Sequence, residues 1–377
     1  MKEILCSKEN FFSEEEKGVF AAHLCAEGIA VNVWDLFGEW VARSGPPVNF
    51  FYLKARRGGE LIGLGLFLEV RPVDLRTSYK GLRQSPFLGR LAGGVSVLSR
   101  NCLCVSFRNL ITANLTRPFF YRDPSLADPV MRAMLQFLKN DRKYDMVTVI
   151  DTLDHHDRYR GEGFRAYPSS SEAVLEPGRY EGVAGYLNTH KNLKKNLARK
   201  KFLSFAEITR GSLGESDLRE MRACVANSIE ESNVNTPCQK FFESHIFDTG
   251  AYRTDDYVHI LVRVNGVIAG FHTYLESGRS LGGVLGGFNR AHTRNHFVYE
   301  RVILASLEYA LARNLCRVNY SLIDNRTKLR LVDSRVPCAL YFYSRNALNS
   351  KMFDITYRYN DIGRLAELEK KAAAPSV

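Results

Sequence analysis

The chain has 377 residues, 45% of them hydrophobic and 11% aromatic, and a formal net charge of +11. That length suits two to three domains of roughly 150 residues, and the hydrophobic and aromatic content excludes a disordered chain. No apolar run nears the roughly 18 residues that span a bilayer, and MKEILCSKENFF has no apolar signal-peptide core, so a cytoplasmic protein is expected. The eight cysteines are scattered without a CxxC pair, which argues against structural zinc and a disulfide framework. The positive balance favours anionic partners such as phosphates, coenzyme A, RNA or acidic lipid.

In chain order, residues 13–45 read as helix, stopped at Gly45-Pro46-Pro47. Two apolar strands, 49–56 and 60–70, follow around the turn Arg57-Gly58-Gly59. Residues 71–127 are irregular and basic. Asp128-Pro129 starts a helix, with Asp as cap and Pro in the first turn, and Val130, Met134, Leu135 and Leu138 form its apolar stripe. Met146–Ile150 is a short strand, and 151–180 reads as a polar linker. The segment Tyr186–Lys201 is a helix with Leu187, Leu193 and Leu197 inward. It carries Lys191, Lys194, Lys195, Arg199, Lys200 and Lys201, with no acid among them. A helix at 217–231 precedes a hairpin at 256–277, a glycine-rich strand at 279–288, a helix at 294–314 and a strand at 316–324. The tail after Glu369 frays.

Part of this order occurs twice. Residues 49–70 and 256–277 align without a gap at an offset of 207, matching Gly59 with Gly266, Gly63 with Gly270 and Leu68-Glu69 with Leu275-Glu276. A helix and a further strand follow each hairpin. Such a period is too long for a solenoid unit and implies two copies of one fold. The expected division is a domain at 1–160, a linker at 161–184 and a second domain at 185–377. The copies differ at Gly65 and His272, and only the second follows a basic helix.

The order strand–strand–strand–helix–strand, present twice, resembles the acyl-CoA N-acyltransferase (GNAT) superfamily in its tandem, FemAB-type or BioF2-like form. The resemblance lies in Tyr186–Lys201, in Asn265-Gly266 through Tyr274, and in Thr327-Lys328, where the family has Tyr-Lys. It implies an α/β (α+β) fold of two tandem GNAT-like domains, each a mixed, mostly antiparallel sheet flanked by helices. It also implies transfer of an acyl group from an acyl-CoA-type donor to a primary amine of a small molecule or cell-envelope precursor, with no tightly bound cofactor. The family's glycine-rich pyrophosphate loop is replaced here by Arg290-Ala291-His292-Thr293-Arg294-Asn295-His296. Two alternatives therefore stand beside acyl-CoA: an aminoacyl-tRNA donor, or a fold kept for ligand binding without catalysis.

Acyl transfer to an amine needs a group to take a proton, donors for the oxyanion and an acid for the leaving group. The candidates for base are His272, Glu276 and Asp324, each with a plain structural alternative: a satisfied core histidine, a strand-end acid and a cap. Asp324 is matched with Asp151 of the first copy. Tyr320 is the candidate for protonating a leaving thiolate, or else packs the core. Gly282, Gly283, Gly286 and Gly287 offer bare backbone where central strands splay. Asn289, Arg290, Arg294 and Lys328 are candidates for donor or substrate binding. The cations Lys191, Lys194, Lys195 and Arg199 form either a phosphate-binding ridge or a solvated face. The group Asp151, Asp154, His155, His156 and Asp157 lacks a distant partner set, and no metal is expected.

Overall fold

The structure, a computed structural model, describes residues 3–26, 33–71, 103–106, 118–169, 171–199, 204–232, 247, 254–292, 297–322 and 326–358. The described strands form two sheets. Their first members are β1 (Ile4–Glu9), β2 (Val48–Arg57), β3 (Glu60–Val70), β4 (Leu103–Ser106), β5 (Phe119–Tyr121), β6 (Met146–Thr152) and β7 (Arg165–Pro168). Then come β8 (Glu172–Leu175), β9 (Ser204–Arg210), β10 (Tyr257–Val264), β11 (Val267–Ser277), β12 (Ser280–Phe288), β13 (Arg317–Leu322), β14 (Ser334–Val336) and β15 (Cys338–Ser344). The first sheet runs β1-β2-β3-β4-β6-β15-β7, with β5 also on β3, and the second runs β14-β8-β13-β12-β11-β10-β9.

The helices are α1 (Glu14–Ala26), α2 (Val33–Ala42), α3 (Ala127–Asn140), α4 (His156–Gly161), α5 (Gly182–Thr189), α6 (Lys191–Arg199), α7 (Glu215–Ser232), α8 (Val298–Ala312), α9 (Arg326–Leu331) and α10 (Ala347–Arg358). The single helix expected at 13–45 thus holds α1 and α2. The basic helix breaks at His190 into α5 and α6.

The repeat is written into the hydrogen-bond register. In β2–β3, Ala55 faces Gly63, and the ladder then slips so that Arg56 faces Leu61. In β10–β11, Val262 faces Gly270, and the same slip puts Arg263 opposite Ile268. Every one of these positions is related by the offset of 207. The two matched glycines also do one job. A Cβ on Gly63 would run into Val130 of α3, and one on Gly270 would lie 2.6 Å from Val298 Cγ1 of α8. Each glycine is a notch that lets the following helix dock.

Other expectations are corrected. Helix α3 opens at Ala127, not at an Asp128 cap. A short 3-10 turn, Pro124–Leu126, comes first, and Asp123 caps it by accepting from Ser125 N at 2.7 Å. Asp128 instead pairs with Arg158. The stripe Val130, Met134, Leu135 and Leu138 is buried as expected. The span read as linker holds β7, α4 and β8. Polar composition misled there, because β8 is short and buried between two neighbours.

Strand β15 returns to the first sheet after every strand of the second. β15 lies in the first sheet between β6 and β7. β8 lies in the second sheet between β13 and β14. The second sheet is therefore built from one continuous run of chain, β8 to β14, while the first is completed by a strand from beyond its own run. The interior is mostly apolar, and each fully buried large apolar side chain contributes roughly 1.5–3 kcal/mol.

Candidate functional site

The second sheet forks at its centre. Parallel pairing of β12 with β13 runs through Ser280–Arg317, Leu281–Val318 and Gly282–Asn319, and no further rung is formed among the described residues. On the other side of β12, Thr273 faces Leu285 but Tyr274 faces Gly283. Val284 is thus an extra residue, a bulge that bends β12 away where β13 leaves it.

His272 lies at this fork, opposite Gly286. Its ring occupies the space two glycines leave open. A Cβ on Gly283 would sit 2.5 Å from His272 Cε1, and one on Gly286 would sit 2.7 Å from Cδ2. His272 is 8% exposed, and its Nδ1 has no hydrogen-bond partner among the described residues. Burial, reinforced by the charge of Lys328, pushes its pKa down to about 3, against a smaller opposing pull from the Thr273 backbone. The imidazole is neutral at pH 7. Lys328, on α9, is itself buried. Among the described residues the hydroxyl of Tyr274 also lacks a partner at hydrogen-bond geometry, and its ring centroid lies 4.4 Å from that of His272.

The remaining sequence candidates fall in different places. Tyr320 is buried near His272, with ring centroids 6.4 Å apart, but its hydroxyl pairs with Ser306 at 2.5 Å. Burial raises that hydroxyl well above the usual range. Glu276 lies at the far end of β11. It accepts from Tyr309 at 2.5 Å and from Arg313 at 3.0 Å, with Arg210 at 3.4 Å. Gly287 serves packing, since a Cβ there would meet Val225 N of α7 at 2.8 Å. Asn289 turns the chain after β12, donating its N–H to Ala269 O and accepting from Ala291 N. Arg290 is exposed. Arg294, Asp324, Lys200 and Lys201 lie outside the described residues, as does the side chain of Arg199. The pairing of Asp324 with Asp151 is corrected by the register. Met146 stands beside Leu103 as Arg317 stands beside Ser280, so Leu322 takes the place of Asp151. Asp151 itself takes hydrogen bonds from His155 and Tyr159.

Lys191, Lys194 and Lys195 are exposed on α6. Lys191 borders a cavity of about 500 Å³ that also touches His190, Phe297, Glu300 and Arg330. This cavity lies at the N-terminal ends of α6 and α8, where peptide dipoles favour anions. Burial raises the Glu300 carboxyl, partly offset by Arg330.

Three residues of the fork escaped the sequence reading. Tyr274 was legible only as the counterpart of Phe67. Asn319 donates to Glu172 Oε2 at 3.2 Å, and both are buried. Glu172 gave no signal because its strand was read as linker.

No family model matches the sequence, and no curated protein matches it. Solved structures do match it in shape. A tandem GNAT protein from the clavulanic acid biosynthesis pathway aligns with TM-score 0.53 at 10% identity, over 91% of this chain and 99% of its own. FemX aligns with TM-score 0.51 at 10% identity, over 93% and 99%. L-PGS from Bacillus licheniformis aligns with TM-score 0.51 at 10% identity, over 94% and 98%. At that identity the likeness is one of architecture, and it agrees with the duplicated register and the forked sheet: this chain has the tandem GNAT fold.

Proposed function

We propose that this protein is an N-acyltransferase whose reaction takes place at the fork of the second sheet. The supporting observation is the contrast between the two repeats at equivalent positions. In the first sheet Gly65 faces Phe119, and Phe119 packs on Phe67 with centroids 5.6 Å apart. In the second sheet these places hold His272, Gly286 and Tyr274, and the place of Val149 holds Tyr320. The first fork is filled with hydrocarbon. The second carries polar rings, two polar atoms with no partner at hydrogen-bond geometry among the described residues, and bare backbone. Burying polar groups costs stability unless something compensates, so such a group is a functional candidate.

In this reading an acceptor amine attacks the donor's carbonyl carbon. A C–N bond forms and a C–S or C–O bond breaks. The amine proton passes by way of neutral His272 to the departing sulfur or oxygen, which leaves as the free thiol or hydroxyl, and freed N–H groups of β12 face the developing oxyanion. Lys328 anchors an anionic part of donor or acceptor. The acceptor class is a primary amine on a small molecule or envelope precursor.

The first reading of the donor is an acyl-CoA, its phosphates against Lys191 and Arg330. A second reading, aminoacyl-tRNA, is favoured by the exposed row Lys191, Lys194 and Lys195 and by a helical turn, not a glycine loop, after Asn289. The test is a melting shift and a labelled-acyl transfer assay on the full chain with each donor. Acyl-CoA binding that survives high salt supports the first. Charged-tRNA binding that weakens steeply with salt, and is lost in the Lys191→Glu, Lys194→Glu, Lys195→Glu triple variant, supports the second. Failure of both donors at micromolar concentration removes both and leaves a non-catalytic binding fold.

A further inference from the structure

Glu172 is a buried carboxylate in a strand that reaches the second sheet from before the second repeat. The first sheet has an apolar residue at the equivalent place, Ala339 counted from the Leu322 rung and Leu340 counted from the Asn319 rung. A carboxylate buried where the sister sheet keeps hydrocarbon is costly, and its contact explains what it does there. It accepts from the side chain of Asn319, the last residue of β13 to pair with β12. The carbonyl of Asn319 lies 3.1 Å from the point where a Gly283 Cβ would be, and His272 Cε1 lies 2.5 Å from that same point. The fork's closed end, its open glycine and the histidine ring therefore share one small space. Helix α9, which carries Lys328, packs on β8 as well.

We infer that Glu172 is a positioning residue, which fixes Asn319 at the root of the fork and so sets the place of the His272 ring. The inference rests on the fork being the reactive site, and its test separates the two. Three full-length variants are compared with the wild type: Glu172→Ala, Asn319→Asp and the double Glu172→Gln with Asn319→Asp. The double variant keeps the hydrogen bond but reverses its donor. The readouts are the His272 imidazole NMR signals and the split between kcat and KM with an acyl-CoA donor.

Each single variant is expected to move the His272 signals and to lower kcat about tenfold, with KM within about threefold. The double variant is expected to return both toward wild type. Single variants that leave the His272 signals in place, or a double variant that does not recover them, overturn the inference. If the single variants do not fold, the double decides: folded with wild-type signals supports it, and unfolded or shifted overturns it. If the wild type turns over no donor, the NMR signals still decide the positioning role while the transferase reading alone fails.

Discussion

Glu69 and Glu276 stand at the same point of the two repeats, and each is held by one tyrosine hydroxyl and two cations. Glu69 takes Tyr144, Lys8 and Lys143, and Glu276 takes Tyr309, Arg313 and Arg210. In both, one cation comes from the edge strand and one from just beyond the crossover helix. The acid ties edge to helix, which is a scaffold's task. Glu276→Gln is expected to cost roughly 1–3 kcal/mol in urea unfolding, as charged partners lose their carboxylate. Turnover per folded molecule should stay within about threefold. A large loss of kcat at unchanged stability would restore Glu276 as the base.

The acid limb of stability has a named source. Lys54 is buried between Glu9 and Glu16, and Arg56 bonds both acids. Burial alone would raise Glu9, but the bonds from Arg56, Lys54 and Ser7 outweigh it and bring its pKa to about 2. A depressed carboxylate stabilises the fold above its unfolded value and loses that contribution as pH falls through the folded one. Melting temperature should therefore decline from about pH 4.5 toward pH 2, and Glu9→Gln should flatten that decline.

His272 adds a second pH arm of the same sign for a different reason. Unfolded, it takes a proton near pH 6.5; folded, burial and Lys328 hold it neutral to about 3. Stability should fall with pH across that interval, and His272→Gln should remove this slope. The same variant should reduce acyl transfer by about a hundredfold or more if the imidazole handles the amine proton. Unchanged turnover would remove it from the mechanism.

Gly63→Ala should lower stability by about 1–3 kcal/mol, because the new methyl group meets Val130. Adding Val130→Ala should recover part of the loss. Gly270→Ala, against Val298 and Phe288, should behave alike. Equal losses with and without the valine truncation would refute the notch.

Removing residues 338–377 should damage the first sheet although the deletion lies at the other end of the chain. Hydrogen exchange should show the amides of Met146–Thr152 that face β15 losing protection, while those paired with β4 keep it. Retained protection of the amides facing β15 would contradict the β15–β6 pairing.

The hairpins, the helices after them and the duplication were legible because apolar alternation and matched glycines mark them. Gly63 and Gly270 were visible as a pair, but their partners Val130 and Val298 were not, since helix docking is a distance in space. His272 stood out only against Gly65. Glu172 was hidden because four buried residues inside a polar stretch carry no periodicity. The match of Asp324 with Asp151 failed because counting from strand ends ignores the register that hydrogen bonds impose.

The late return of β15 to the first sheet also sets a timetable for synthesis. When Thr152 has left the ribosome, the antiparallel neighbour of β6 is still nearly half a chain away. At about 5–20 residues per second, β6 waits on the order of ten seconds or more with one edge bare. The second sheet has no such delay, since β8 is made before β13 needs it. The half that carries the polar fork can thus complete its sheet first, and β15, made after it, then closes the older half behind it.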